Sequence, residues 1–278
     1  VIAAWVLFAS LIAALGLAVG SFLNVVAYRV PLGLSVVAPP SACPGCGSYI
    51  EARDNIPILS WLILRGRCRH CAEPISVRYL VLEAITGMMF VVVAAAYLPP
   101  LLGSVDVATA VSSALVLVAM LYFAAISVAL SAIDIETHRL PNAVVLPAYA
   151  VGALCLGAAG AFAGDWVAIA RAAAGAGILV LFYFLLAVVK PGGMGMGDVK
   201  LAGVIGLFLG FLGWGPLVVG VFSAFLLGGV FGLGLIIARR AGRASGVPFG
   251  PWMFAGAWVG ALFGEALTSQ YMQLVGLL

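Results

Sequence analysis

The sequence predicts an all-α polytopic membrane protein with about eight transmembrane helices and one small soluble segment, between the first helix and the second. Three observations predict it. Of 278 residues, 65% are hydrophobic and only 8% charged, far from the roughly one-quarter charged composition of a soluble domain. Apolar runs approaching or exceeding the ~20 residues that span a bilayer recur along the chain. None alternates as a barrel strand does, and lipid tolerates no unpaired backbone, so these runs should be helices.

In order, the runs are Ile2–Phe22, Tyr79–Leu98, Ala108–Ile133, Val144–Phe162, Trp166–Val189, Leu201–Leu212, Leu217–Ala238 and Pro251–Ala266. No basic stretch precedes the first run and its small residues lie inside the apolar stretch, so it reads as a retained helix. The chain begins at Val1 without Met, so a few residues are expected to precede it. The sixth run is short, but Trp214 and Pro216 suit an interfacial turn after it, which favours a full crossing. The expected organisation is a first transmembrane helix over 1–28, a soluble segment over 29–78 and a helical membrane domain over 79–278.

Loops on the cytoplasmic side of a membrane carry an excess of Lys and Arg. Here Arg29, Arg53, Arg65, Arg67, Arg69 and Arg78 fall in the first loop, Arg139 in the third, Lys190 and Lys200 in the fifth, and Arg239, Arg240 and Arg243 in the seventh. Only Arg171 falls on the other side, where the loops instead carry Asp106 and Asp165 and the tail carries Glu265. An eight-helix chain with both termini outside satisfies this alternation. The net charge of +3 is thereby accounted for by topology, and no nucleic-acid motif competes with the lipid bilayer as partner.

The first loop holds four of the five cysteines. Cys43-x-x-Cys46 and Cys68-x-x-Cys71 are separated by 21 residues, and each pair can set two thiolates on one tight turn. Two such turns facing one another supply a closed tetrahedral set for Zn²⁺. Two disulfides would use the same thiols, but the charge pattern puts this loop in the cytoplasm, where disulfides do not persist. A small structural zinc domain is therefore expected, its fold drawn from the metal. His70 could in principle replace one cysteine, and Cys155 reads as a small buried hydrophobe.

Two polar loops on the same side, "SAIDIETHRLPN" and "GGMGMGDVKLAG", place Asp134 and Asp198 at the inner ends of the third and sixth helices. Ionisable groups at membrane depth are functional candidates by default. Taken singly, Asp198 reads equally well as a helix cap, Thr137 and Asn142 as turn or capping residues, and Glu136 and His138 as solvated. Taken together, two carboxylates that share a proton can act as base on a water and acid on a carbonyl, which is hydrolysis without a metal or a serine. Gly195 and Gly197 would let an extended peptide approach Asp198, and Lys200 would reach the interface or hold a substrate carbonyl or carboxylate. The run between Gly192 and Lys200 is glycine-rich enough to be mobile. No GxGxxG after a strand, GxxxxGK[ST], HExxH or GxSxG occurs. A transporter or scaffold built on a zinc platform is disfavoured, because both acids fall at the predicted membrane edge instead of the midplane.

On "GSFLNVVAYRVP" (Gly20–Pro31), the two CxxC pairs with "DNIPILSWLILRGRCRHC" between them, "AIDIETHRLPN", "GMGMGDVKLAG" and "VPFGPW" (Val247–Trp252), the chain resembles the bacterial type IV prepilin peptidases. These are membrane aspartyl proteases with a GxGD signature, here Gly195-Met196-Gly197-Asp198. The resemblance implies that Asp134 and Asp198 are the catalytic pair. It implies prepilin and pseudopilin substrates, cut after a glycine between a basic leader and an apolar helix, at the cytoplasmic face of the inner membrane. It also implies methylation of the new N-terminus with S-adenosylmethionine, an activity associated with the N-terminal cytoplasmic part. Glu136 and Asn142 stand where similar proteins often carry Asp, Leu80 where Pro is common, and Ala72 where Gly is common.

Overall fold

A computed structural model describes residues 2–190, 194–238 and 248–277 of the protein. Its helices are α1 (Ile2–Arg29), α2 (Leu59–Ile63), α3 (Val77–Leu102), α4 (Val107–Thr137), α5 (Asn142–Ala163), α6 (Trp166–Val189), α7 (Met196–Leu212), α8 (Trp214–Ile237) and α9 (Gly250–Leu274). Among the described residues there is no named strand, and two isolated antiparallel bridges pair Ala42 with Tyr49 and Arg67 with Pro74.

Every apolar run lies on one long helix. Six segments, 2–32, α3, α4, α5, α6 and α8, are long and apolar enough to cross a membrane. The other two expected crossings are α7, whose 17 residues extend about 25 Å, and α9, which runs past Ala266 through Ser269, Gln270 and Gln273 to Leu274. Asp106 and Asp165, the acids of the even loops, have local work. Asp106 caps α4 by accepting from Thr109 N at 2.9 Å, and Asp165 caps α6 by accepting from Ala168 N at 2.8 Å, each satisfying one orphan donor of a helix start. Arg239, Arg240 and Arg243, which belong to the charge pattern, lie outside the described residues, as do Gly192 and Gly193 of the glycine-rich run and Val247 of the VPFGPW motif.

The chain divides into two compact units, one of residues 1–104 and 120–129, the other of residues 105–119 and 130–278. In the first, α1 packs on α3 through small residues. A Cβ on Gly20 would lie 2.8 Å from Glu83 Cα and 3.0 Å from Thr86 Cβ, so this close approach requires glycine. Buried Asn24 donates from Nδ2 to Gly20 O and Tyr79 O, both at 3.3 Å. The soluble segment is pinned to the same helix pair, since buried Glu83 accepts from Ile58 N at 2.7 Å.

In the second unit α7 is the central element, with α5, α6, α8 and α9 all packed on it. Leu201, Ala202, Val204, Phe208 and Leu209 are fully buried. Surrounded by protein, a helix shorter than the bilayer is tolerated, because its ends find partners other than lipid. Arg171 supplies them at one end. Its guanidinium donates to Gly210 O and Phe211 O, both at 2.7 Å, satisfying carbonyls of the last turn and complementing the negative end of the helix dipole. This explains the one basic residue that departs from the charge pattern.

Candidate functional site

Asp134 and Asp198 lie in the second unit, at the end of α4 and the start of α7. α4 ends where His138 turns left-handed, φ 51, and its N–H closes on Asp134 O at 2.9 Å. Asp134 sits one turn before this stop and is 5% exposed. Its Oδ2 accepts from Gly250 N, at the first residue of α9, at 2.9 Å. Asp198 is the third residue of α7, and its Oδ2 accepts from Gly195 N at 3.0 Å. The capping expectation for Asp198 therefore holds geometrically.

One side chain lies against the turn that bears Asp198 and the turn that donates to Asp134. A Cβ on Gly197 would meet Leu140 Cβ at 3.1 Å, and one on Gly250 would meet Leu140 Cδ2 at 3.4 Å. Leu140 thus seats the start of α7 and the start of α9 on the loop that follows Asp134. On each acid the second oxygen, Oδ1, takes no hydrogen bond from the described residues. Each carboxylate is held by one glycine N–H and keeps one oxygen for water or substrate. Gly195 and Met196 are exposed, which leaves the backbone beside Asp198 approachable, whereas the open side of Gly197 faces Leu140.

Lys200 is turned toward α5, donating from Nζ to Asn142 Oδ1 at 3.0 Å. Tyr149, also on α5, donates to Lys200 O at 2.7 Å. Two expectations are corrected here. Asn142 does not cap α5, because Pro141 occupies the cap position without a side-chain bond and the Asn142 amide is engaged by Lys200. Thr137 is no cap either; it is the last residue of α4 and bonds back to Ile133 O at 2.9 Å. Glu136 and His138 are exposed, as expected.

In the soluble segment the sulfurs of Cys43, Cys46, Cys68 and Cys71 lie within 4.8 Å of one another. Cys43 and Cys71 are 3.6 Å apart, close to the ~3.8 Å edge of a tetrahedron with 2.3 Å Zn–S bonds. His70 is not a member of the set, and none of the five cysteines is in a disulfide. The two turns repeat one another. Cys43 N donates to Ser48 O and Gly47 N to Cys43 O, as Cys68 N donates to Glu73 O and Ala72 N to Cys68 O. Hydrogen bonds from the Ser48 side chain and backbone pull the Cys46 thiol down to about 6, and the backbone N–H groups of Cys71 and His70 lower Cys68. Cys71, with a Glu73 N–H that lowers it, is pushed up to about 12 by desolvation and the three neighbouring sulfurs. Such crowding of thiolates is what a dication relieves, so the residues present fit zinc. Arg69 clamps the Asp54 carboxylate and holds it below its ordinary range, tying the turn at Ala52–Asp54 to the second knuckle.

The roles of Gly250, Leu140, Tyr149 and Glu83 were not read from the sequence. The signal for Gly250 was a Phe-Gly-Pro helix start, which does not reveal what its free N–H meets. Residues 14–97 match the Bacterial Peptidase A24 N-terminal domain and residues 121–233 the Type IV leader peptidase family. Among curated relatives, the prepilin leader peptidase/N-methyltransferase of Aeromonas hydrophila is 34% identical, covering 96% of this chain and 94% of the relative. That of Pseudomonas putida is 36% identical over 97% and 95%, and that of Bacillus subtilis (strain 168) 30% identical over 93% and 96%. No solved structure matches the chain.

Proposed function

Since the chain belongs to the type IV leader peptidase family, we propose that it is an aspartyl endopeptidase that removes the basic leader of prepilins and pseudopilins after a glycine, at the cytoplasmic face of the bacterial inner membrane, and N-methylates the new terminus. The observation that carries the peptidase is the pair of acids from separate helices, each tethered through Oδ2 by a glycine N–H and each with Oδ1 unbonded among the described residues. One carboxylate takes a proton from water as its oxygen adds to the scissile carbonyl carbon. The other donates its proton to the carbonyl oxygen. The C–N bond of the resulting diol then breaks as the first carboxyl gives its proton to the leaving amine and a diol hydroxyl returns one to the second, so the pair is again singly protonated. Exposed Gly195 admits the extended peptide, and Lys200, held by Asn142, fixes the first turn of α7 beneath it.

Cys43, Cys46, Cys68 and Cys71 would hold zinc. The metal would supply a structural cross-link of the 29–78 segment, since four protein ligands leave no coordination position for substrate. The methylation step, with S-adenosylmethionine as methyl donor, is supported by family membership alone. Asn24, Ser60, Glu83 and Thr86, the buried polar side chains of the first unit outside α4, are each hydrogen-bonded to backbone, and no residue is assigned to that cofactor.

Asp134→Asn and Asp198→Asn are each expected to lower prepilin cleavage by about 10²-fold or more, with zinc content and folding unchanged. The readout is a mass spectrum of a prepilin-like peptide after incubation with the purified protein. Wild-type turnover by either folded variant would refute the assignment of that acid.

A further inference from the structure

We propose that the turn at the start of α9 is a positioning element for the Asp134 carboxylate, with Gly250 giving its N–H to Oδ2 and Phe249 anchoring the turn. This rests on the reading of Asp134 as a catalytic acid. The first N–H groups of any helix have no intrahelical partner. At this terminus, Pro251 has no N–H, and Trp252 N and Met253 N both donate to Phe249 O at 3.0 Å. Gly250 carries the donor left over, and it is directed at Asp134 at 2.9 Å. The carboxylate consequently sits at the positive end of a 25-residue helix.

Glycine is required here by proximity, since its φ lies outside the left-handed range. A Cβ at residue 250 would stand 2.8 Å from Asp134 Oδ2 and 3.3 Å from Cγ. Both the donor and the missing side chain are therefore matched to the acid. The preceding residue holds the turn in place. The Phe249 ring lies 5.3 Å from that of Phe225 on α8 and 6.4 Å from that of Tyr183 on α6. Gly228 makes room for it, since a Cβ there would reach Phe249 Cε2 at 3.0 Å. The orientation of Asp134 is thus set by a helix more than a hundred residues away in sequence, with Oδ2 fixed and Oδ1 left toward the reaction.

The test is steady-state cleavage of a prepilin-like peptide by the full chain, read as kcat and KM separately, for three proteins. Gly250→Ala displaces the carboxylate and is expected to lower kcat about 10²-fold, the loss that a misplacement of ~1 Å can cause, with KM within about threefold. An ester in place of the Phe249–Gly250 amide deletes the N–H without adding an atom to the site. Since that N–H has no helical partner, α9 is retained and kcat is expected to fall about 10-fold. Asp134→Asn is the reference. If Asp134→Asn cleaves normally, the catalytic reading itself fails. If Asp134→Asn is inactive while the ester protein keeps wild-type kcat, the catalytic reading stands and the positioning role is refuted. If Gly250→Ala does not fold, the ester alone decides.

Discussion

At Ala72 the backbone is left-handed, φ 59, at the place in its knuckle that Gly47, φ 71, holds in the other. An L-residue with a Cβ is strained in this region by roughly 1–2 kcal/mol, a cost that glycine avoids. Ala72→Gly should therefore stabilise the folded soluble segment by about 1 kcal/mol, after the extra chain entropy of glycine is deducted. The measurement is zinc retention against a competing chelator, and the expected outcome is retention to several-fold higher chelator. Release at an unchanged or lower concentration would show that the strain is relieved elsewhere. The clustering of the four cysteines was legible in the sequence because each CxxC pair sets two sulfurs on one turn, and the two acids stand out as ionisable groups at the ends of apolar helices. Asn142 and Thr137 were misread because a polar residue beside a helix end signals a cap by default, and a lysine 58 residues further on that engages the amide leaves no local trace. Glu83 went unremarked for the same reason, since its partner, Ile58 N, is a backbone atom of a distant loop.

α7 shows what periodicity reaches and what it misses. Its apolar part was read from Leu201, but the helix begins at Met196, because the glycines that signal a break are here the start, with Asp198 bonding back to Gly195 N. Its burial on all sides could not be read from hydropathy, since lipid-facing and protein-facing helices are equally apolar. The glycines carry that information only when their neighbours are known. A Cβ on Gly206 of α7 would lie 2.3 Å from Gly175 O of α6, a backbone atom that cannot turn aside, whereas a Cβ on Gly177 of the same α6 meets nothing within 4 Å. Gly206→Ala is expected to cost about 1–3 kcal/mol or more through overpacking, while Gly177→Ala should be neutral or gain up to ~1 kcal/mol of helix propensity. Thermal unfolding of the two variants in detergent gives the comparison. Equal midpoints would mean that α6 and α7 do not pack as closely as this.

Across the whole molecule, the cysteine set belongs to one compact unit and both acids to the other. The recurrence of apolar runs made the long helices legible, and the spacing of the two CxxC pairs made the cysteine cluster legible. The division into units was not, because the middle of α4, residues 120–129, belongs with the first unit and its ends with the second, a split no composition shift marks. The separation has a measurable consequence. The packing of α1 on α3 includes contacts of Gly20, Thr86, Asn24 and Tyr79, while the 29–78 segment meets this pair through Glu83 and is too small to hold a core of its own. Removing zinc with a chelator, or by Cys43→Ser with Cys46→Ser, should release about one Zn per chain and unfold that segment locally. Limited proteolysis is then expected to cut within 35–76 and to leave the long helices whole. Cleavage of a prepilin-like peptide should stay within about twofold of wild type, the ~0.5 kcal/mol by which uncoupled sites depart from additivity. Loss of cleavage in step with zinc would instead show that the peptidase requires the folded cysteine segment, and that the two compact units act as one.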